Sequence, residues 1–326
     1  MKQESIKRAA ALVLAVAALS SSAAALFGKE TDTVTEEGAP VAQDLQIRTY
    51  RGIPYQAQFL ASDGEGDDIT YAVEEAPGKG TVEVDGANFT YTPEEGATGG
   101  DRFTYTATDS AGHVSVPATV TVTIEKVKSG VTYADTEGSA AAVAAQDLAE
   151  AGIFTGAQIG GQYYFEPDRT VSREEFLAMV LETAGREVTE VTMTGFCDDE
   201  GIPAWAKAYA AAGVADGVVQ GSTTEEGAAF RGADAITFNE AATMLDRVLD
   251  AGDVDLTVWY ADRQAVPTWA AQAVGNMEAL NVLSAGSFGS STMNQAVTRA
   301  DAARMLSAAR TLLEGEPSGG WFDWLG

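Results

Sequence analysis

The feature that most limits what this chain can become is that it repeats itself. Ser172-Arg173-Glu174-Glu175, Thr237-Phe238-Asn239-Glu240 and Thr298-Arg299-Ala300-Asp301 each place a hydroxyl three residues before a carboxylate, and the hydroxyl positions lie 65 and 61 residues apart. Upstream pieces recur as well. Trp205-Ala206 and Trp269-Ala270 follow Phe196…Asp198 and Tyr260…Asp262, and Gly152-Ile153-Phe154-Thr155-Gly156 matches Gly217-Val218-Val219-Gln220-Gly221, with Asn281-Val282-Leu283-Ser284 in the third position. Self-similarity of this kind marks tandem supersecondary units that bury their apolar faces on one another.

The recurring element has a mechanical reading. Ser172-x-x-Glu175 and Thr237-x-x-Glu240 are capping boxes, in which the hydroxyl accepts from the third helical amide and the carboxylate reaches back to the cap amide. Thr298-x-x-Asp301 is a shorter-armed version. Capping accounts for these positions fully, so no binding role is assigned to them. The arginines are different. Arg173 and Arg299 fall at the first helical position, where a cation opposes the helix dipole by about 0.3–1 kcal/mol. One reason to tolerate that is an anion held jointly by the guanidinium fork and the helix N-terminal amides. The structural alternative is a salt bridge to the next repeat. Trp205 and Trp269 are candidates to stack on sugar faces, with core packing as the alternative. Gly156, Gly217 and Gly221 suit left-handed caps, and Gly156 and Gly221 are also candidates to admit a ligand close to the backbone.

Before the repeats, from about 40 to 125, the period changes to two. Thr81-Val82-Glu83-Val84, Phe89-Thr90-Tyr91-Thr92, Phe103 to Thr108 and Ala118 to Ile124 alternate apolar and polar residues, rich in β-branched and aromatic types. Turn formers separate them, among them Asp85-Gly86 as a hairpin signal and Asp109-Ser110-Ala111-Gly112-His113 as a turn. This predicts an all-β antiparallel sandwich. Asp63, Asp67, Asp68, Asp101 and Asp109 are candidate Ca²⁺ ligands if they gather at one end, against the simpler reading of solvated turn carboxylates. The run from Gly80 through Asp109 resembles the bacterial Ig-like, cadherin-like modules of surface proteins, which implies a spacer or adhesive role.

The ends and the charge narrow the setting. Lys2, Lys7 and Arg8, the apolar run Ala9 to Leu19 and the small residues Ser20 to Ala25 have the layout of a secretory signal, residues 1–25. An eleven-residue apolar run is too short to span about 30 Å of hydrocarbon, so no transmembrane anchor is expected after cleavage. Residues 26–39 read as a flexible acidic spacer and 315–326 as a tail ending in Trp321-Phe322-Asp323-Trp324. The net charge of −28 excludes nucleic acid, whose binding rests on Lys/Arg patches. A single cysteine, Cys197, read as a small buried hydrophobe, excludes an internal disulfide, and a single histidine excludes a His-rich zinc site.

The repeats at 131–186, 194–251 and 257–314 strongly resemble the S-layer homology repeat: aromatic-x-Asp, Trp-Ala, Gly-Ile-x-x-Gly, Phe-x-Pro, then Thr-Arg-Ala-Glu before a helix. The resemblance implies an all-α, three-pronged helical bundle whose inter-repeat grooves bind secondary cell-wall polysaccharide, often carrying a pyruvate ketal. Arg173, Arg299, Trp205, Trp269, Gly156 and Gly221 would then line the grooves. The second repeat departs from the pattern, with Phe238 for the arginine and Gly232 for the proline. The expected protein is multidomain, secreted and without enzymatic activity, held non-covalently at the cell surface, with no cofactor unless Ca²⁺. The alternative is a structural or adhesive protein whose repeats assemble with other surface proteins without binding glycan.

Overall fold

The computed structural model describes residues 38–259, 266–288 and 290–315. The signal segment, nearly all of the acidic spacer, Tyr260, Asp262 and the aromatic tail lie outside the described residues. The chain divides into two compact units, one holding 38–132 and 137–146, the other 133–136 and 147–315.

The first unit contains nine strands: β1 (Val41–Ala42), β2 (Leu45–Tyr50), β3 (Tyr55–Gln58), β4 (Ala61–Ser62), β5 (Thr70–Glu75), β6 (Gly80–Asp85), β7 (Asn88–Pro93), β8 (Gly99–Thr108) and β9 (Ala118–Glu125). A four-stranded sheet runs β2-β9-β8-β5 and a three-stranded sheet runs β3-β7-β6, with β1 paired to β4. The period-two pattern accounts for the core, because alternate residues of each strand face the same way. Phe103, Tyr105 and Ala107 of β8, with Val120, Val122 and Ile124 of β9, turn inward to meet Phe89 and Tyr91 of β7. The buried Tyr105 hydroxyl lies 2.6 and 2.8 Å from the carbonyls of Gln43 and Leu60 and shares its one proton between them, tying the β1 and β4 segments to the core. One expectation needs correcting: the sandwich is not wholly antiparallel. β2 lies parallel to β9, Leu45 opposite Val120 through Tyr50 opposite Glu125.

The five aspartates do not gather into a cation site. Asp63 Oδ1 accepts from the amides of Glu65 and Asp67, a local turn. Asp101 accepts from the Gly78 and Lys79 amides and the Tyr91 hydroxyl, all within 2.9 Å. Burial pushes its carboxyl pKa up, but these donors and the Arg102 amide outweigh burial and hold it below the usual range. Asp109 holds the His113 amide and Nδ1, each at 2.8 Å. Among the described residues, no group of three or more His, Cys, Asp or Glu is placed to hold a metal ion.

The chain after the sandwich contains the helices α1 (Ala142–Glu150), α2 (Arg173–Thr183), α3 (Ala204–Ala215), α4 (Phe238–Leu249), α5 (Leu256–Trp259), α6 (Ala271–Ala279) and α7 (Arg299–Glu314). It is not all-α. The hairpins β10 (Ala157–Ile159)/β11 (Gln162–Tyr164) and β12 (Ser222–Thr224)/β13 (Gly227–Ala229) precede the capped helices of the first two repeats. In the third, a 3₁₀ turn over Ser291–Asn294 stands before α7. Gly-rich and acidic turns at Gly160-Gly161 and Glu225-Glu226 let the first two segments reverse tightly.

All three capping boxes close, the Asp301 version included. Immediately before them the backbone forms a closed triangle. The Val171 amide donates to the Val297 carbonyl, Val297 to Ile236 and Ile236 to Val171, at 2.9, 2.8 and 3.0 Å. All three side chains are buried. The ring satisfies backbone groups that would otherwise be orphaned in an apolar centre, and α2, α4 and α7 each touch the other two around it. Cys197 is exposed rather than buried. Its neighbour Phe196 turns inward to stack on Phe230, centroids 5.4 Å apart.

Candidate functional site

The motif aspartates build the scaffold of the site. Asp135 accepts from the Phe165 and Glu166 amides at 2.8 and 2.7 Å, and Asp198 from the Phe230 and Arg231 amides at the same two distances. This bidentate grip holds Glu166 and Arg231 in the left-handed region, at φ 55° and 58°. Such a conformation is costly for a residue with a Cβ and persists where its surroundings impose it. Tyr133 packs edge-on to Phe165 with centroids 5.3 Å apart, completing the support in the first repeat. The aromatic-x-Asp signature is thus explained by what it holds.

Two of the capped helices, α2 and α7, then meet such a turn of a neighbouring repeat. The Arg173 amide donates to the Asp234 carbonyl and the Glu174 amide to Gly232; correspondingly, the Arg299 amide donates to Arg169 and the Ala300 amide to Pro167. This corrects an expectation. The first amides of α2 and α7 are not free for an anion, because carbonyls of a neighbouring repeat already accept from them, and the third amide serves the cap. Any anion must be held by side chains.

The two arginine side chains have different fates. Arg299 Nη1 donates to the Phe165 carbonyl at 2.9 Å and to Glu166 Oε2 at 2.7 Å, and its guanidinium lies 4.9 Å from the Phe154 ring centroid. The side chain is only 9% exposed. It staples α7 to the first repeat. Arg173 meets Arg231 where Arg299 meets Glu166, and turns instead to Glu240 Oε1 at 2.9 Å. Its Nε is buried with no hydrogen-bond partner. Burial, the largest influence, lowers its pKa against the opposing pull of Glu240.

Around Arg173 lies a cleft of about 280 Å³. Its lining includes Arg231, Asn239, Glu240, Trp269 and Asn294. Asn239 is almost wholly buried, Nδ2 donating to Asn294 Oδ1 at 3.0 Å, and its Oδ1 has no partner. The residues that carry an unmet donor, Arg173 Nε, and an unmet acceptor, Asn239 Oδ1, both line this cleft, the two atoms lying buried in its wall, and buried polar atoms in that state favour a polar ligand or ordered water. Trp269 is 60% exposed, so it is not a core plug.

A second cleft, of about 290 Å³, carries Arg299, Phe154, Glu175, Glu182, Trp205 and Tyr209. Trp205 is 50% exposed and edge-on to Tyr209. The Tyr209 hydroxyl donates to Glu182 at 2.7 Å, a bond that, ahead of burial, raises its pKa. The third, of about 260 Å³, has Phe238 and Asp301 in the places that Arg173 and Glu240 hold in the first. In each cleft, then, the first residue of one capped helix faces the capping acid of the next. The acids are more than caps: the second oxygens of Glu175, Glu240 and Asp301 pair with Arg169, Arg173 and Arg304.

Gly156 and Gly221 do not line these clefts. Each sits at positive φ (67° and 75°) against the hairpin that follows it, and a Cβ there would fall 2.2 Å from the Tyr164 carbonyl oxygen or 2.7 Å from the Phe196 ring. Their role is backbone packing rather than ligand access. Asn239 and Arg231 escaped the sequence reading. The visible signal for Arg231 was the reversal of charge from Glu166 at the matching place in the first repeat; Asn239 carried none.

Residues 37–124 match the family model of a bacterial Ig domain. A search of curated protein sequences finds no match. Among solved structures, similarity is found to an endo-fucoidan hydrolase of glycoside hydrolase family 107, at 21% identity over 31% of this chain and 15% of that one, TM-score 0.24. It is also found to the SrpA adhesin of Streptococcus sanguinis (20% identity, 31% of this chain, 68% of that one, TM-score 0.22). A third is a set of fibronectin(III)-like modules of Clostridium thermocellum CbhA (14%, 28% and 48%, TM-score 0.21). The matched segment spans well under two thirds of the hydrolase. The β-sandwich of this chain matches a bacterial Ig domain, and the helical part that follows carries three capped helix starts paired cyclically through their preceding backbone.

Proposed function

We propose that this is an exported, non-enzymatic surface protein whose helical part consists of S-layer homology repeats, holding the chain non-covalently to an anionic cell-wall polysaccharide while the Ig domain serves as spacer or adhesive unit. One observation carries the reading: the Arg173 cleft combines a guanidinium with an unmet Nε, an unmet Asn239 carbonyl and a half-exposed indole. Those groups match a carboxylate, a hydroxyl and a pyranose face. Burial of the arginine strengthens its hold on a matching anion, because the pair is shielded from solvent.

Sedimentation of the full chain with protein-stripped Gram-positive walls, compared with walls from which the polysaccharide has been extracted, tests this. Pelleting with the first and not the second is expected. A second reading, assembly with other surface proteins, is favoured by the apolar lining around Trp205. Equal recovery with extracted walls, or none with either, would favour it.

A further inference from the structure

The residue after the buried aromatic in the turn facing each N-terminal arginine decides what that arginine does. In one pairing the turn residue is Glu166, and Arg299 is consumed by its carboxylate, the Phe165 carbonyl and the Phe154 face. In the other the turn has the same shape, the same aspartate grip and nearly the same φ, but the residue is Arg231. A cation there has no attraction for Arg173. Arg231 pairs with Asp234 instead, remains 59% exposed at the side chain and lines the Arg173 cleft. Gly232, beside it, makes room for a further change. A Cβ at Gly232 would fall 2.4 Å from Glu174 Oε2, a buried oxygen without a partner, so the turn packs against α2 only with glycine in that place.

We propose that Arg231 and Arg173 form a two-guanidinium clamp for a carboxylate-bearing sugar, and that Arg231 is the specificity-determining residue that makes this cleft, rather than the Arg299 cleft, the anion site. The proposal deepens the anchoring reading and rests on it for the identity of the polymer, but the clamp itself is a property of the cleft. Arg231 acts twice. It withholds the carboxylate that would staple Arg173 in the way Glu166 staples Arg299, and it adds a second positive group beside Trp269. In a chain of net charge −28, the two guanidiniums share this cleft with the carboxylates they pair with, Glu240 and Asp234, so a ligand carboxylate binds by taking over those pairings. The Arg299 cleft keeps its aromatic pair but has its cation occupied, which suits an uncharged sugar face.

The test uses the full chain and two readouts. In the first, wild type, R231E and R231A are sedimented with protein-stripped walls; R231E should lose at least tenfold in affinity by stapling Arg173, and R231A a smaller factor. In the second, D-glucuronate is titrated while arginine Nε–H resonances are followed by NMR, Arg173 being assigned by its loss in R173K. The Arg173 signal should move in wild type and stay still in R231E, and the Arg299 signal should not move in either. Glucuronate shifting Arg299 as much as Arg173, or an R231E chain that binds walls and glucuronate as wild type does, overturns the clamp. Wild-type chain that ignores walls yet shows the Arg173-specific shift would remove the anchoring reading and leave the clamp standing. Circular dichroism of R231E guards against misfolding, and R231A, which introduces no new charge, separates loss of the clamp from a new ion pair.

Discussion

A guanidinium at a helix start has two ways to offset the unfavourable dipole, and this chain shows both. Arg299 meets a carbonyl, a carboxylate and a ring inside one small volume. Replacing both arginines therefore does not leave the fold untouched. Arg299→Ala should lower stability by about 1–3 kcal/mol, since a buried carbonyl and an acid lose a charged donor together, read as the midpoint of urea unfolding. Arg173→Ala, which gives up one ion pair with Glu240 and a buried Nε that has no partner, should cost less and reduce wall association at least tenfold; equal effects of the two substitutions on stability would refute the division of roles. Asp199 provides a further test at this scale. Hydrogen bonds from Lys207 and from the hydroxyl and amide of Thr194 hold its carboxyl at about 2. Its unfolded value is near the ordinary ~3.9, so its stabilising contribution is complete above that pH and is lost as pH falls through about 2. Asp199→Asn should flatten the stability–pH curve between about pH 4 and 2, and an unchanged acid limb would show that the interaction does not persist in solution.

At the scale of elements, the helices start where they do because of local chemistry. Ser172, Thr237 and Thr298 close capping boxes that three neighbouring residues suffice to specify, which is why the starts of α2, α4 and α7 were legible in the sequence. Thr237→Ala should cost about 1 kcal/mol, measured by chemical denaturation. The hairpins were not legible. Their strands have three residues each and no alternation long enough to register. They are held by closure around Gly156 and Gly221, whose missing Cβ allows the following strand to approach. The exposure of Trp205 and Trp269 was equally out of reach, since an indole beside a helix start fits a core or a surface with the same spacing.

For the whole molecule, long-range charge and short-range chemistry oppose each other. A net charge of −28 repels an anionic polymer, and that repulsion reaches about 30 Å at 0.01 M salt but only about 10 Å at 0.1 M. Contacts within the Arg173 cleft act over hydrogen-bond distances and are screened less. Wall association should therefore strengthen as salt rises from about 0.01 to 0.1 M, before weakening at higher salt. A sedimentation series showing a steady fall from the lowest salt upward would contradict this balance.

The sequence alone determined what local rules determine. Alternation specified the strands around Phe89, Phe103 and Val120, capping chemistry specified three helix starts, and repetition specified that three similar units lie in tandem. What it left open was set by partners distant along the chain. The parallel course of β2 beside β9, the triangle of Val171, Ile236 and Val297, and the unlike surroundings of Arg173 and Arg299 each depend on groups far along the chain. Periodicity reports which way a side chain faces, and a cap reports where a helix begins. Which charge stands opposite an arginine is decided only when the repeats close on one another, and here that is Glu166 in one case and Arg231 in the other.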